Sequence, residues 1–148
     1  MANPEQMTFR CDLIDPTGRL LGCEATSVIL PAHDGQVGIL YDHMPMLCQL
    51  GLGIMTVTPA SADVPKEAAQ SELQFFIDGG FALVAENTVT VIAADALSLQ
   101  EAQAKKIESM MDKTAKSIAS PALSPSQRTH ESNRLRTLQK IAEARRGE

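Results

Sequence analysis

The sequence predicts a mainly β, then α protein: an N-terminal antiparallel β-sandwich over residues 1–96, followed by a C-terminal antiparallel two-helix hairpin over residues 97–148. Three observations carry this reading. Short runs with period-two alternation, separated by turn signals, fill the chain from Met7 to Ala93, and such spacing belongs to sandwiches and barrels. At Ser98 the apolar period changes from two to about 3.6. Charge divides the chain near the same point: residues 1–96 hold three basic and twelve acidic side chains, a net of −9, whereas residues 97–148 hold ten basic and six acidic, a net of +4. A length of 148 residues suits a compact domain with an appended element.

Thr8 to Leu13 makes the first strand, and Asp15-Pro16-Thr17-Gly18 turns it. Arg19 to Leu30 gives one or two strands. The stretch Pro31 to Gly53, PAHDGQVGILYDHMPMLCQLGLG, then alternates turns with short apolar runs. Its framework is Pro31, Gly35, Gly38 and Pro45, since glycine supplies positive φ or close backbone approach while proline fixes φ and removes a ladder donor. Gly53 to Thr58 resumes as a strand. Pro59 to Ser71 is polar and proline-containing, and reads as a long hairpin loop. Leu73–Ile77 and Gly80–Glu86 read as strands around a tight turn at Asp78-Gly79. Glu86-Asn87 turns again into Thr88–Ala93, an alternating TVTVIA, where the β pattern ends.

Ser98-Leu99-Gln100-Glu101 fits a capping box, in which serine and glutamate satisfy free backbone donors at a helix start. Ala104, Ile107, Met111, Ala115 and Ile118 recur three or four apart and define one helix face. Pro121 and Pro125 interrupt the helix. Ser124 then caps a second helix, with Pro125 at its first position and Gln127 completing a second box. That helix runs to about Arg146, with Leu135, Leu138 and Ala142 inward. The apolar stripe of the hairpin is narrow and alanine-rich, and such helices are marginal without tertiary support. A weakly held hairpin on a rigid sandwich reads as a moving part.

Composition narrows the function. Four Phe, one Tyr and no Trp leave few base-stacking surfaces, and the sandwich is acidic, so nucleic-acid binding is not expected. Cys11, Cys23 and Cys48 lack paired metal spacing, and MANPEQ has neither a basic n-region nor an apolar h-region. These features read as reduced thiols in a cytosolic compartment. No apolar run reaches the ~18 residues of a membrane span. His33-Asp34 and Asp42-His43 present two imidazoles and two carboxylates, the residue types of a metal or acid/base site. They equally fit turn aspartates accepting backbone donors beside histidines held in loops. Their spacing matches no ligand motif, and the remaining histidine, His130, lies in the second helix. No nucleophile motif or phosphate-cradling loop is present, and Cys48 lies in an apolar run that favours an inert thiol. No catalytic residue, cofactor or metal is therefore assigned. A small β-sandwich metal-dependent enzyme using His33, Asp34, Asp42 and His43 stands as the alternative. The basic residues Arg128, Arg134, Arg136, Lys140, Arg145 and Arg146 form either a solvated face or a surface for docking onto carboxylates.

Taken together, these residues resemble the epsilon subunit family of F-type ATP synthase, equivalent to the mitochondrial delta subunit. The family pattern is a leucine-proline, a short glycine turn, then Gly-Ile-Leu-Pro-x-His-x-Pro-Leu-Leu and a following glycine. It is matched by Leu30-Pro31, Gly35, Gly38-Ile39-Leu40, His43, Pro45-Met46-Leu47 and Gly51. A second block is matched by Gly79-Gly80-Phe81, Val89-Thr90-Val91 and Ala94-Asp95. The resemblance implies a non-catalytic rotor subunit of a proton- or sodium-translocating enzyme. Its sandwich would bind the gamma subunit and rest on the c-ring, and its hairpin would reach the alpha/beta head and inhibit ATP hydrolysis. It implies a peripheral protein at the cytoplasmic face of the cell inner membrane, held there only through the complex. By position, Asp34, Gly35, Gln36, Asp42 and His43 would face the ring, with Gly79 and Gly80 joining the turn framework. Arg128, Arg134, Arg136 and Lys140 would meet an acidic loop of the beta subunit. Gln36 and Tyr41 depart from the usual acidic residue and proline. The ATP-binding motif Ile/Leu-Asp-x-x-Arg-Ala reads Leu99-Gln100-Glu101-Ala102-Gln103-Ala104 here, which implies weak or absent ATP sensing.

Overall fold

The computed structural model describes residues 7–60, 72–99 and 104–146. Most of the loop expected over Pro59–Ser71 lies outside these residues, as do Gln100, Glu101, Gln103 and the side chains of Arg145 and Arg146. The chain divides into two compact units, Met1–Gln100 and Glu101–Glu148.

The first unit comprises β1 (Phe9–Asp15), β2 (Gly18–Ala32), β3 (Gly35–Leu40), β4 (Met46–Pro59), β5 (Leu73–Ala85), β6 (Thr88–Ala93) and β7 (Ala96–Ser98). Hydrogen-bonded order runs β1-β6-β5-β4-β2-β3, with β7 on β5, and a further β1–β2 pairing returns the path to its start. The expected sandwich is therefore closed, like a barrel. Its pairings are antiparallel except β1–β6, which is parallel. Period-two side chains fill the interior: Phe9, Cys11 and Leu13 from β1, Val28 and Leu30 from β2, Met55 and Val57 from β4, Val89 and Val91 from β6. Removing each large aliphatic or aromatic side chain from water contributes about 1.5–3 kcal/mol.

Arg19–Leu30 forms one strand, within the expectation of one or two, and three details differ from the sequence expectation. Gly53–Thr58 is the second half of β4 rather than a separate strand. Asp78-Gly79 is not a hairpin turn. β5 continues through it, paired with β4 from Val57↔Leu73 to Met46↔Val84. Gly79 and Gly80 do have positive φ, 79° and 122°, which is where β5 bends and changes partner from β7 to β6. The Asp78 N–H donates to the Asp95 carbonyl at 2.9 Å and the Ala94 N–H to the Gly79 carbonyl at 3.0 Å, closing the ladder around the bend. The register stays unbroken through this bend, and a bend within a strand makes the same demand for positive φ as a tight turn, so the dipeptide alone does not separate them. Finally, the β pattern continues past Ala93 into β7, which takes in Ser98, and the Leu99 N–H donates to the Gln74 carbonyl at 3.0 Å; the rest of the capping box expected at Ser98–Glu101 lies outside the described residues.

The second unit holds α1 (Ala104–Ile118) and α2 (Pro125–Arg146), which pack on each other. The capping box at Ser124 forms reciprocally. Ser124 Oγ accepts the Gln127 N–H at 3.2 Å, and Gln127 Oε1 accepts the Ser124 N–H at 2.9 Å. In α1, Ile107 and Thr114 are buried while the expected Ala115 is exposed. Thr114 tolerates burial because its hydroxyl donates to the Met110 carbonyl at 2.8 Å. In α2, Leu138 and Ile141 are buried, with Leu135 and Ala142 partly so. No helix among the described residues is long and apolar enough to cross a membrane.

Candidate docking surface

The strand β3 decides how the candidate residues are distributed. His33, Asp34 and Gly35 turn β2 into β3, and Tyr41, Asp42 and His43 lead out of its other end. Six strand residues span roughly 20 Å. The two His-Asp pairs therefore do not converge on one centre, and no group of three metal-ligating side chains exists among the described residues. The same separation puts the two turns expected to face the ring at opposite ends of one strand.

Each turn is held by its own contacts. The His33 N–H donates to the Gln49 carbonyl at 2.9 Å, which leaves Asp34, Gly35 and Gln36 exposed at the tip. At the other end Asp42 adopts φ 58°, and its N–H donates to Asn87 Oδ1 at 3.1 Å. Asn87 Nδ2 in turn donates to the Thr8 carbonyl at 2.8 Å, and the Asn87 carbonyl accepts the Arg10 N–H at 3.2 Å. Glu86 and Asn87, with φ 49° and 56°, form the expected turn between β5 and β6. Turn propensity locates Asn87 there, but nothing in the sequence predicts that its amide ties three segments together. His43 Nδ1 pairs with the Met44 carbonyl at 2.8 Å, a loop-held imidazole.

A further surface, on β4, β5 and β6, is one that the turn motifs do not mark. Leu47, Phe81, Leu83 and Ile92 point outward from β4, β5 and β6, with Leu47 opposite Leu83 and Phe81 opposite Ile92. Side chains so placed touch across the strands. Each is at least half exposed, from 50% for Leu83 to 71% for Leu47. Met44, Tyr41 and Leu40 add exposed apolar area in the connection that leads to Leu47. Ile14 and Asp12 of β1 lie beside Ile92 and Thr90 in the parallel register. Asp12 binds the Arg10 guanidinium at 3.0 Å and lies 3.8 Å from Arg19, which gives the surface a charged border. An apolar centre with a polar rim is the anatomy of a protein interface, and a contiguous patch of this kind marks a binding site. The sequence signal exists in Phe81-Ala82-Leu83-Val84, apolar on both faces, which predicts cover on both sides.

The basic residues of α2 do not act alike. Arg128 donates from Nη1 to the Ile118 carbonyl and from Nη2 to the Ser120 carbonyl at 3.2 Å. It places its cation at the C-terminal end of α1, where the helix dipole favours positive charge. Arg136 and Lys140 are exposed, and Arg134 is partly buried.

Residues 8–99 match the family described as the beta-sandwich domain of the ATP synthase delta/epsilon chain. The ATP synthase epsilon chain of Jannaschia sp. (strain CCS1) is 31% identical over 104 residues, 70% of this chain and 72% of that one. The chloroplastic epsilon chain of Chlamydomonas reinhardtii is 32% identical over 94 residues, 64% of each chain. The mitochondrial delta subunit of Kluyveromyces lactis is 32% identical over 100 residues, covering 67% of this chain and 57% of that one. The latter two matches thus span less than two thirds of their relatives' length. Among solved structures, the fold is shared with a chain of the Euglena gracilis mitochondrial ATP synthase (TM-score 0.66, 20% identity, 93% of this chain and 81% of that one). It is also shared with a chain of the Tetrahymena thermophila central stalk and c-ring (TM-score 0.64, 15% identity, 90% and 95%).

Proposed function

The chain belongs to the delta/epsilon family of F-type ATP synthase, and on that premise we propose that it is a central-stalk subunit that couples the gamma subunit to the c-ring. Its part is structural rather than catalytic. One observation carries the reading: the outward apolar face of Leu47, Phe81, Leu83 and Ile92, bordered by charge, which is a surface built to be covered. Gamma is its occupant in this account. The exposed turn tip at Asp34, Gly35 and Gln36 is the ring contact, while Asp42 and His43 at the opposite end of β3 belong with the stalk side. The location that follows is peripheral, within the complex on the cytoplasmic face of the inner membrane, whether the enzyme carries protons or sodium ions.

The hairpin is the regulatory part of the proposal. Its exposed cations Arg136 and Lys140, with Arg134 beside them, meet an acidic surface of the catalytic head and restrain ATP hydrolysis. Arg128 acts within the hairpin by holding the end of α1. Co-expression with the gamma subunit tests the core of this function. A stable complex that survives purification supports it, and separate elution of the two chains contradicts it.

A further inference from the structure

We propose that Cys11 and Cys23 form a dithiol oxidation site that takes a low-molecular-weight disulfide, such as oxidised glutathione, as its oxidant. The two residues are direct partners in the antiparallel β1–β2 register, and both belong to the inward side, Cys11 fully buried and Cys23 half-buried against the core. Directly opposite side chains have Cβ atoms about 4.5–5.5 Å apart. A disulfide needs about 3.5–4.5 Å, so closing the bond asks for a shift of no more than about 1 Å. Both thiols are reduced in this structure, and Cys48, opposite Ala82 in β4, has no cysteine in register.

The chemistry balances in two exchanges. The Cys23 thiolate, the more accessible of the pair, attacks one sulfur of the small disulfide, forms a mixed disulfide and releases one small thiolate. The Cys11 thiolate then attacks the Cys23 sulfur, forming the Cys11–Cys23 bond and releasing the second. Two protein thiols are oxidised and one external disulfide is reduced to two thiols. Burial, then the neighbouring Cys23 and Asp12, push the Cys11 thiol up to about 12, with Arg10 opposing. The second exchange is therefore slow near neutral pH and accelerates as pH rises, because the thiolate is the attacking species. The product staples the β1–β2 pairing, the one that closes the barrel, and leaves the outward apolar face untouched.

The test uses the full chain carrying Cys48→Ser, incubated under native conditions with excess oxidised glutathione at about pH 8.5. The expected product has lost two hydrogens by intact mass, yields a Cys11–Cys23 linked peptide, and unfolds at a temperature raised by roughly 5 °C. Adding Cys11→Ser traps the mixed disulfide at Cys23, whereas adding Cys23→Ser gives no reaction. The proposal is overturned if both thiols persist, if the reaction stops at the mixed disulfide while Cys11 is present, or if the link forms only in denaturant.

Discussion

Asn87 and Asp42, forty-five residues apart, are joined by a hydrogen bond from the Asp42 N–H to Asn87 Oδ1 at 3.1 Å. Both residues have left-handed backbone, with φ of 56° and 58°, which Asn and Asp adopt more readily than other side chains. The same Asn87 amide reaches the Thr8 carbonyl, so one side chain fixes the turn after β3 against the start of β1. Replacing Asn87 by Ala removes two hydrogen bonds and strains φ, at a cost of about 2–3 kcal/mol. Asn87→Gly relieves only the φ term and recovers about 1 kcal/mol of it. Urea unfolding of both variants separates the two contributions.

The bend of the long strands yields a graded glycine series. A Cβ at Gly80 collides with the Ile92 carbonyl oxygen, and φ is 122°, so Gly80→Ala loses about 3 kcal/mol or more. At Gly53 a Cβ stands 2.8 Å from Pro31 Cβ, and overpacking there costs about 1–3 kcal/mol. Gly38 has nothing within 4 Å and no positive φ, and Gly38→Ala stabilises by about 0.4–1 kcal/mol. Thermal or denaturant midpoints should fall in that order.

Alkaline stability follows from the buried thiol. The folded pKa of Cys11, pushed up to about 12 by burial, lies above the ordinary thiol value of 9.0. The folded state therefore binds the proton more tightly, and this contribution is complete below pH 9 and lost as pH rises toward 12. Its size is on the order of a few kcal/mol. A Cys11→Val chain should lose stability less steeply over that interval, which chemical denaturation at a series of pH values reads directly.

Much of this architecture is legible in the sequence. TVTVIA gives β6 residue for residue, and Ser124-Pro125-Ser126-Gln127 gives the start of α2. Asp78-Gly79-Gly80 reports its backbone need but not its context, since a bend within a strand and a tight turn share positive φ. Three-residue β7 is too short for any period to show. Thr114 faces inward because its hydroxyl bonds within the helix, which apolar periodicity does not register. The outer face escapes for a related reason: alternation assumes one wet side, and Phe81 and Leu83 sit on the side that alternation calls polar.

Control by the hairpin has its own outcome. Ending the chain at Ser120 should raise ATP hydrolysis by the assembled enzyme, and Arg136→Ala with Lys140→Ala should raise it partly, with an effect that shrinks as salt is added. Arg128→Ala should instead lower the stability of the hairpin, by about 1 kcal/mol, through the lost contacts to Ile118 and Ser120. Steady-state hydrolysis across ionic strength, paired with helical circular dichroism, distinguishes the two roles.

The most direct test is the affinity of the full chain for the gamma subunit, compared with a Phe81→Glu, Leu83→Glu variant. Both positions are exposed, so the variant keeps its fold, verified by its unfolding midpoint, while carboxylates enter the centre of the proposed interface. Loss of about 2–4 kcal/mol, roughly thirtyfold or more in Kd, is the predicted result, with His33→Ala unchanged as the control. Undiminished affinity of a folded double variant would contradict the account.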